Sequence, residues 1–149
     1  MRGSTLGRII RHRIAIWERI GVGTGTELPV WRCSMKLEDF AFGRIQVDGT
    51  VYDHDLVIDH GKIKKRKKKP SKKYRESFGH TPLSVEEKIP WNCEQLVIGT
   101  GMGALPVMNE VKQEARRRSV ELVILPTGKA IEILNKRPQS TNAILHVTC

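Results

Sequence analysis

The sequence predicts a compact α/β (α+β) domain with a mixed sheet and an antiparallel hairpin region in its N-terminal half. Three observations predict it. In the second half, the apolar runs Leu96-Val97-Ile98, Glu121–Leu125 and Ala143–Val147 are separated by stretches of helical spacing. Strands joined in this way form a largely parallel sheet with right-handed crossovers. The first half instead sets Asp48-Gly49 and His60-Gly61 between short apolar segments, which is the signature of tight hairpins. Finally, 149 residues with 39% apolar content suffice to bury a core without disulfides or metal.

Each element follows in order. Gly43–Val47 reads as a strand, Asp48-Gly49 as its turn, and Val51-Tyr52-Asp53 as the returning strand. Leu56-Val57-Ile58 is a second strand, and His60-Gly61 turns it into Lys62–Lys69, expected as an exposed strand whose charge blocks unwanted pairing. Pro70–Tyr74 is turn-like. Ser84, with Glu87 three residues on, predicts a short capped helix. After the strand at Leu96, Gly99–Gly103 forms a glycine-rich loop, and Pro106 suits a helix start. Val107, Val111 and Ala115 recur at helical spacing while Lys112, Glu114 and Arg116–Arg118 face water. Thr127 is placed to cap a helix bearing Ala130, Ile133 and Leu134, and Arg137–Thr141 reads as loop before the last strand.

The net charge of +10 is unevenly spread. Residues 1–34 carry +4, residues 62–75 carry +10 with no acid among them, and the remainder carries −4. The body is therefore mildly acidic. No stretch reaches the roughly 18 apolar residues needed to span a membrane. Cys33, Cys93 and Cys149 are odd in number and lack C-x-x-C spacing, which argues against a disulfide framework or a cysteine zinc site. A reducing, cytoplasmic setting is the expectation, and no cofactor or metal is expected. The leader around Ile9–Trp17 is basic and apolar. It reads as a disordered extension or tag remnant, or alternatively as a mitochondrial presequence. The folded unit is expected over residues 35–149.

Phe42-Gly43-Arg44-Ile45 with Asp48-Gly49, then Gly79-His80, Leu96–Gly101, Leu125-Pro126-Thr127 and the terminal Leu145–Cys149 together resemble the Mth938-like family, a domain of unknown function. The resemblance covers about Met35 to Cys149, and the sequence looks more like the archaeal-type variants, whose corresponding segment is often basic with Ser-Lys, as Ser71-Lys72 is here, than like many bacterial relatives. It implies a small three-layer β/α/β domain. It also implies relatives that include a mitochondrial complex I assembly factor and an adipogenesis-associated protein. It carries no established reaction.

Candidate functional residues fall into two groups. Gly99, Thr100, Gly101 and Gly103, with His80, are the candidate ligand-binding set, because glycines let backbone amides approach an anion. The set lacks G-x-G-x-x-G spacing and the Gly-Lys-Ser/Thr of a phosphate loop, and a tight structural turn is the competing reading. His80, His146 and Cys149 are chemically able residues whose assembly depends on folding, with Asp53, Asp55 and Asp59 as available orienting acids. Ser71 and Ser84 lack the context of a nucleophile elbow. The second group is the basic surface of Lys64, Lys65, Arg66, Lys67, Lys68, Lys69, Lys72 and Lys73. It suits a solvated edge, an acidic partner or the phosphates of a nucleic acid, with Tyr74 and Phe78 available to stack. The functional expectation is a non-enzymatic interaction or assembly domain with a protein partner. A small-anion binder or enzyme, and a nonspecific nucleic-acid binder, are the alternatives.

Overall fold

The computed structural model describes residues 35–136 and 140–148. The chain divides into two units, Met1–Ser34 and Met35–Cys149. The expectations for the leader, for residues 137–139 and for Cys149 lie outside the described residues.

Strands β1 (Leu37–Ala41), β2 (Arg44–Val47) and β3 (Thr50–Tyr52) form an antiparallel sheet in that order. The turn between β2 and β3 is two residues long, with Asp48 at φ 49° and Gly49 at φ 82°. Both values are positive, as a turn matching the twist of its strands requires. The larger sheet contains β4 (Leu56–Asp59), β5 (Lys62–Lys65), β6 (Gln95–Thr100), β7 (Glu121–Leu125) and β8 (Thr141–His146). Its order is β5-β4-β8-β6-β7. β8 runs parallel to β6 and antiparallel to β4, so the last strand joins the two halves of the chain in one mixed sheet.

A 3-10 turn (Lys69–Tyr74) and a short α1 (Arg75–Phe78) follow β5, while α2 (Asn109–Arg117) and α3 (Thr127–Lys136) cross over between the parallel strands. α3 and the small sheet cover one face of the large sheet, where Leu37, Ile45 and Val47 meet Leu56, Val97, Leu145 and Ala130. Asn135 ties α3 to β1 by accepting from Leu37 N at 3.0 Å and donating to Leu37 O at 2.8 Å. The other face packs Val57, Leu96, Ile98 and Ile144 against Val111 of α2 and the irregular segment that carries Leu83 and Ile89.

Four local expectations are corrected. β1 is an additional strand, because its LEDFA sequence has no apolar run and pairs only through β2. The strand expected over Lys62–Lys69 ends at Lys65. No helix follows Ser84; its hydroxyl instead meets Ser71 Oγ at 2.7 Å, and Glu87 is drawn inward by Arg66. α2 begins at Asn109 rather than near Pro106, because Pro106 O and Met108 N are engaged with Leu83 in a short parallel bridge.

Candidate functional site

The basic segment is fastened to the body at one residue. Arg66, expected on the basic surface, has a side chain only 1% exposed. Its Nε donates to Glu87 Oε2 at 2.9 Å and its Nη2 to Glu87 Oε1 at 2.8 Å, a two-pronged pairing. Nη1 reaches Asp55 Oδ2 at 3.2 Å, and Nη2 also reaches Pro82 O at 3.0 Å. The planar guanidinium suits such a site, and a lysine would not. Burying these charges is costly, and only near-complete mutual pairing offsets that cost.

Asp55 is the hub. It sits just before β4, beside the end of β8, because Leu56 is paired with Leu145. Its Oδ1 accepts Val147 N at 2.9 Å. Its Oδ2 gathers His146 Nδ1 at 2.6 Å, Arg66 Nη1 at 3.2 Å and Lys68 Nζ at 3.3 Å. Burial alone pushes the Asp55 carboxyl up. The hydrogen bonds from His146 and Val147, with His146 and Lys68 close by, hold it instead well below the usual carboxylate range. An ionised carboxylate only accepts, so His146 Nδ1 carries the proton of that bond.

That leaves His146 Nε2. It is the buried side-chain polar atom with no hydrogen-bond partner among the described residues. An unpartnered buried polar group costs about 1–3 kcal/mol, so its presence needs a reason. His146 shares a face with Asn142 and Ile144, and its Cα is paired with that of Thr100. The loop leaving β6 for α2 passes over this same face, where Leu105 joins the core beside Ile98.

Thr127 locks the ends of the parallel strands together. Its hydroxyl donates to His146 O at 2.6 Å and accepts from Gly101 N at 2.8 Å, while its own N donates to Gly101 O at 2.9 Å. Its side chain therefore bridges strands, whereas a helix-capping role was expected. Gly99 explains itself here, since a Cβ would lie 2.7 Å from Thr127 Oγ1 and 2.9 Å from Leu145 Cδ2.

The candidate ligand-binding residues are thus placed as follows. Gly99 and Thr100 lie within β6, and the Thr100 hydroxyl donates to Leu125 O at 3.2 Å. The amides of Gly103, Ala104 and Leu105 all donate to Thr100 O. Most amides of the loop are turned into the loop itself. His80 is exposed in the turn after α1. Of the three candidate orienting acids, the fold brings Asp55 to His146. Sequence reasoning named both residues without pairing them, because 91 positions separate them. Glu87 was missed as a partner of Arg66. The available signal was a lone Arg inside a lysine run.

On the outside, Lys64 pairs with Asp59 and Lys73 with Glu86. Lys65, Lys67, Lys69 and Lys72 are exposed and have no ion pair among the described residues. Tyr74 donates its hydroxyl to Glu86 at 2.7 Å, and the Lys73 ammonium stands 5.2 Å from its ring centre.

Two stacked sheets, the larger closed by parallel crossovers, define a small mixed α/β domain whose chemistry collects at the C-terminal ends of β6 and β8. The chain belongs to the family described as Protein of unknown function (DUF498/DUF598), which matches residues 37–145. It is similar to the conserved hypothetical protein PH1505 from Pyrococcus horikoshii OT3, at 32% identity and TM-score 0.66, covering 77% of this chain and all of that one. It is also similar to the solved structure of MT938, at 26% identity and TM-score 0.61, covering 78% of this chain and 100% of that chain. A Mth938-like domain from Bordetella pertussis, solved in solution by NMR, shares the fold at 16% identity and TM-score 0.50, over 76% of this chain and 85% of its own. No curated protein matches the chain. Among the described residues no helix is long and apolar enough to cross a membrane.

Proposed function

We propose that the domain is an interaction or assembly module that docks an acidic protein on the segment around β5 and the 3-10 turn. The observation that carries this reading is the anchoring of the segment. Arg66 is buried and paired on three sides, so the backbone on either side is fixed. Lys65, Lys67, Lys69 and Lys72 then project from a set frame with no acid of their own to neutralise them. A positive surface held in place loses less conformational freedom on binding than a flexible tail would, and it steers an acidic partner toward it. A protein fits better than a nucleic acid. Tyr74, the aromatic ring inside the basic segment, is already engaged by Glu86 through its hydroxyl and by the Lys73 ammonium over its ring, which leaves it less free to stack on a base.

The test is binding of a poly-glutamate peptide at low and high salt. Binding should weaken with salt, and replacing Lys65, Lys67, Lys69 and Lys72 with Gln should reduce affinity by about tenfold or more. Equal or tighter binding of a random single-stranded oligonucleotide would favour the nucleic-acid alternative. Unchanged peptide affinity in the variant would remove the reading.

A further inference from the structure

We propose that the outer edge of β7 is a dimerisation edge, on which β7 of a second copy of this chain adds antiparallel to make one continuous sheet. The two sheets end in β1 and β3 and in β5 and β7. The first three of these strands carry features that keep other strands away. β1 breaks register between Leu37 and Asp39 and exposes Glu38 and Asp39. β3 is three residues long. β5 carries Lys62, Lys64 and Lys65. β7 has none of these features. It pairs with β6 without a shift from Glu121 to Leu125, and its apolar residues Leu122, Val123, Ile124 and Leu125 are only half-buried. An apolar edge of this kind is a template for another strand.

The backbone sets the register. Glu121 N donates to Glu94 O at 2.9 Å, and Leu125 O accepts from the Thr100 hydroxyl. Alternate residues of a strand turn their amides and carbonyls to the same neighbour. Glu121, Val123 and Leu125 therefore face β6, while Leu122 and Ile124 face the open side. This open stretch has fixed ends. Val120 N is taken by Ala115 O, and Pro126 has no N–H to give. Its centre is Val123. A twofold axis there sets Leu122 against the partner's Ile124 on both sides of the axis, and each such pair exchanges both of its hydrogen bonds. Moving the axis to Leu122 or Ile124 would instead set Ile124 against Val120, or Leu122 against Pro126.

Charge favours a second copy as the occupant. Val123 packs with Ala130, Ile131 and Leu134 of α3, whereas Leu122 and Ile124 pack with Val111 of α2. Glu121, two positions before Val123, therefore lies on the α3 side of the sheet. The same axis puts it opposite the partner's Leu125, after which α3 begins at Thr127. The first turn of α3 holds no acid, and its Lys129 is exposed and only loosely held by Glu132 at 3.8 Å. An exposed carboxylate of each copy thus faces a basic helix start of the other. β7 and β5 are opposite edges of the large sheet. The dimer leaves the lysine surface open and does not rest on the acidic-partner reading.

The experiment is sedimentation of the full chain over a concentration series, with amide hydrogen exchange measured at both ends of the series. The chain should pass from monomer to dimer. As it does, the Leu122 and Ile124 amides should exchange more slowly, while those of β5 keep their rates. Glu121→Lys and Lys129→Glu, both at exposed side chains, should each raise the dimer dissociation constant about tenfold, and the two together should restore it. Leu122→Pro removes the outward N–H, which an edge strand tolerates, and should abolish the dimer; the charge exchange serves if that variant does not fold. A chain that stays monomeric to about 1 mM, or a dimer whose Leu122 and Ile124 amides exchange as fast as in the monomer, would overturn the proposal. So would slow exchange there that dilution leaves unchanged, or a double charge variant as weak as the single ones. None of those results bears on poly-glutamate binding by the outer lysines.

Discussion

At the scale of single residues, Arg66 and Asp55 decide the most. Arg66→Ala would leave Glu87 and Asp55 buried beside an empty space, and breaking a buried pair in this way costs about 3–5 kcal/mol. Urea unfolding of the variant should show that loss, and a change within error of zero would mean the network is not formed in solution. Arg66→Lys should recover only part of it, because an ammonium cannot reproduce the two-pronged contact with Glu87. Asp55 sets a pH dependence with a definite sign. Its folded carboxyl is held below its ordinary value. Its stabilising contribution is therefore fully present above the unfolded value of about 4 and is lost as pH falls below it. Asp55→Asn should flatten the acid limb of the stability curve below pH ~4 while lowering stability at neutral pH. An acid limb as steep as that of the parent chain would rule out this assignment. Neither residue declares its role in sequence. Arg66 lies among lysines that are exposed, and what buries it is the approach of Glu87, 21 positions on.

At the scale of elements, the junction of β6, α3 and β8 rests on Gly99 and Thr127. Gly99→Ala would force a methyl group to within 2.7 Å of Thr127 Oγ1 and 3.1 Å of its Cα. The backbone atom cannot swing aside, so the variant should lose about 1–3 kcal/mol. Thr127→Val keeps the shape but removes the donor to His146 O and the acceptor for Gly101 N. Leaving those two backbone groups unpaired should cost about 1–3 kcal/mol, read from the shift in urea midpoint. A combined loss well short of the sum would show that both act through one junction. The elements most legible in the sequence are those with local signals. The two-residue turns at Asp48-Gly49 and His60-Gly61, and the apolar strands β4, β6, β7 and β8, follow from turn chemistry and apolar runs alone. β1 was not legible because LEDFA carries no apolar run, although its partner β2 is the next strand, and the segment after Ser84 was not because its partners Ser71 and Arg66 lie well back in the sequence. Ser84 looked like a helix cap, yet its hydroxyl meets Ser71 instead. The glycine-rich loop was legible as a turn at a strand end. The direction of its amides, inward to Thr100 O, follows from the three-dimensional path of the chain.

At the scale of the whole molecule, the question is whether the overall charge or one segment attracts a partner. The chain carries +10, of which residues 1–34 contribute +4. The core clusters and the buried network lie within Met35–Cys149. We expect a chain of residues 35–149 to fold alone and to unfold at the same urea midpoint as the full chain. Its net charge falls to +6. If attraction followed net charge, poly-glutamate affinity would drop with it. If the anchored segment is the determinant, affinity should stay nearly constant, because Lys65, Lys67, Lys69 and Lys72 and their Arg66 anchor are all retained. Isothermal titration of both chains with the same peptide decides between the two. A fall in affinity matching that of the four-lysine variant would assign the binding to the leader and leave the segment as a solvated edge.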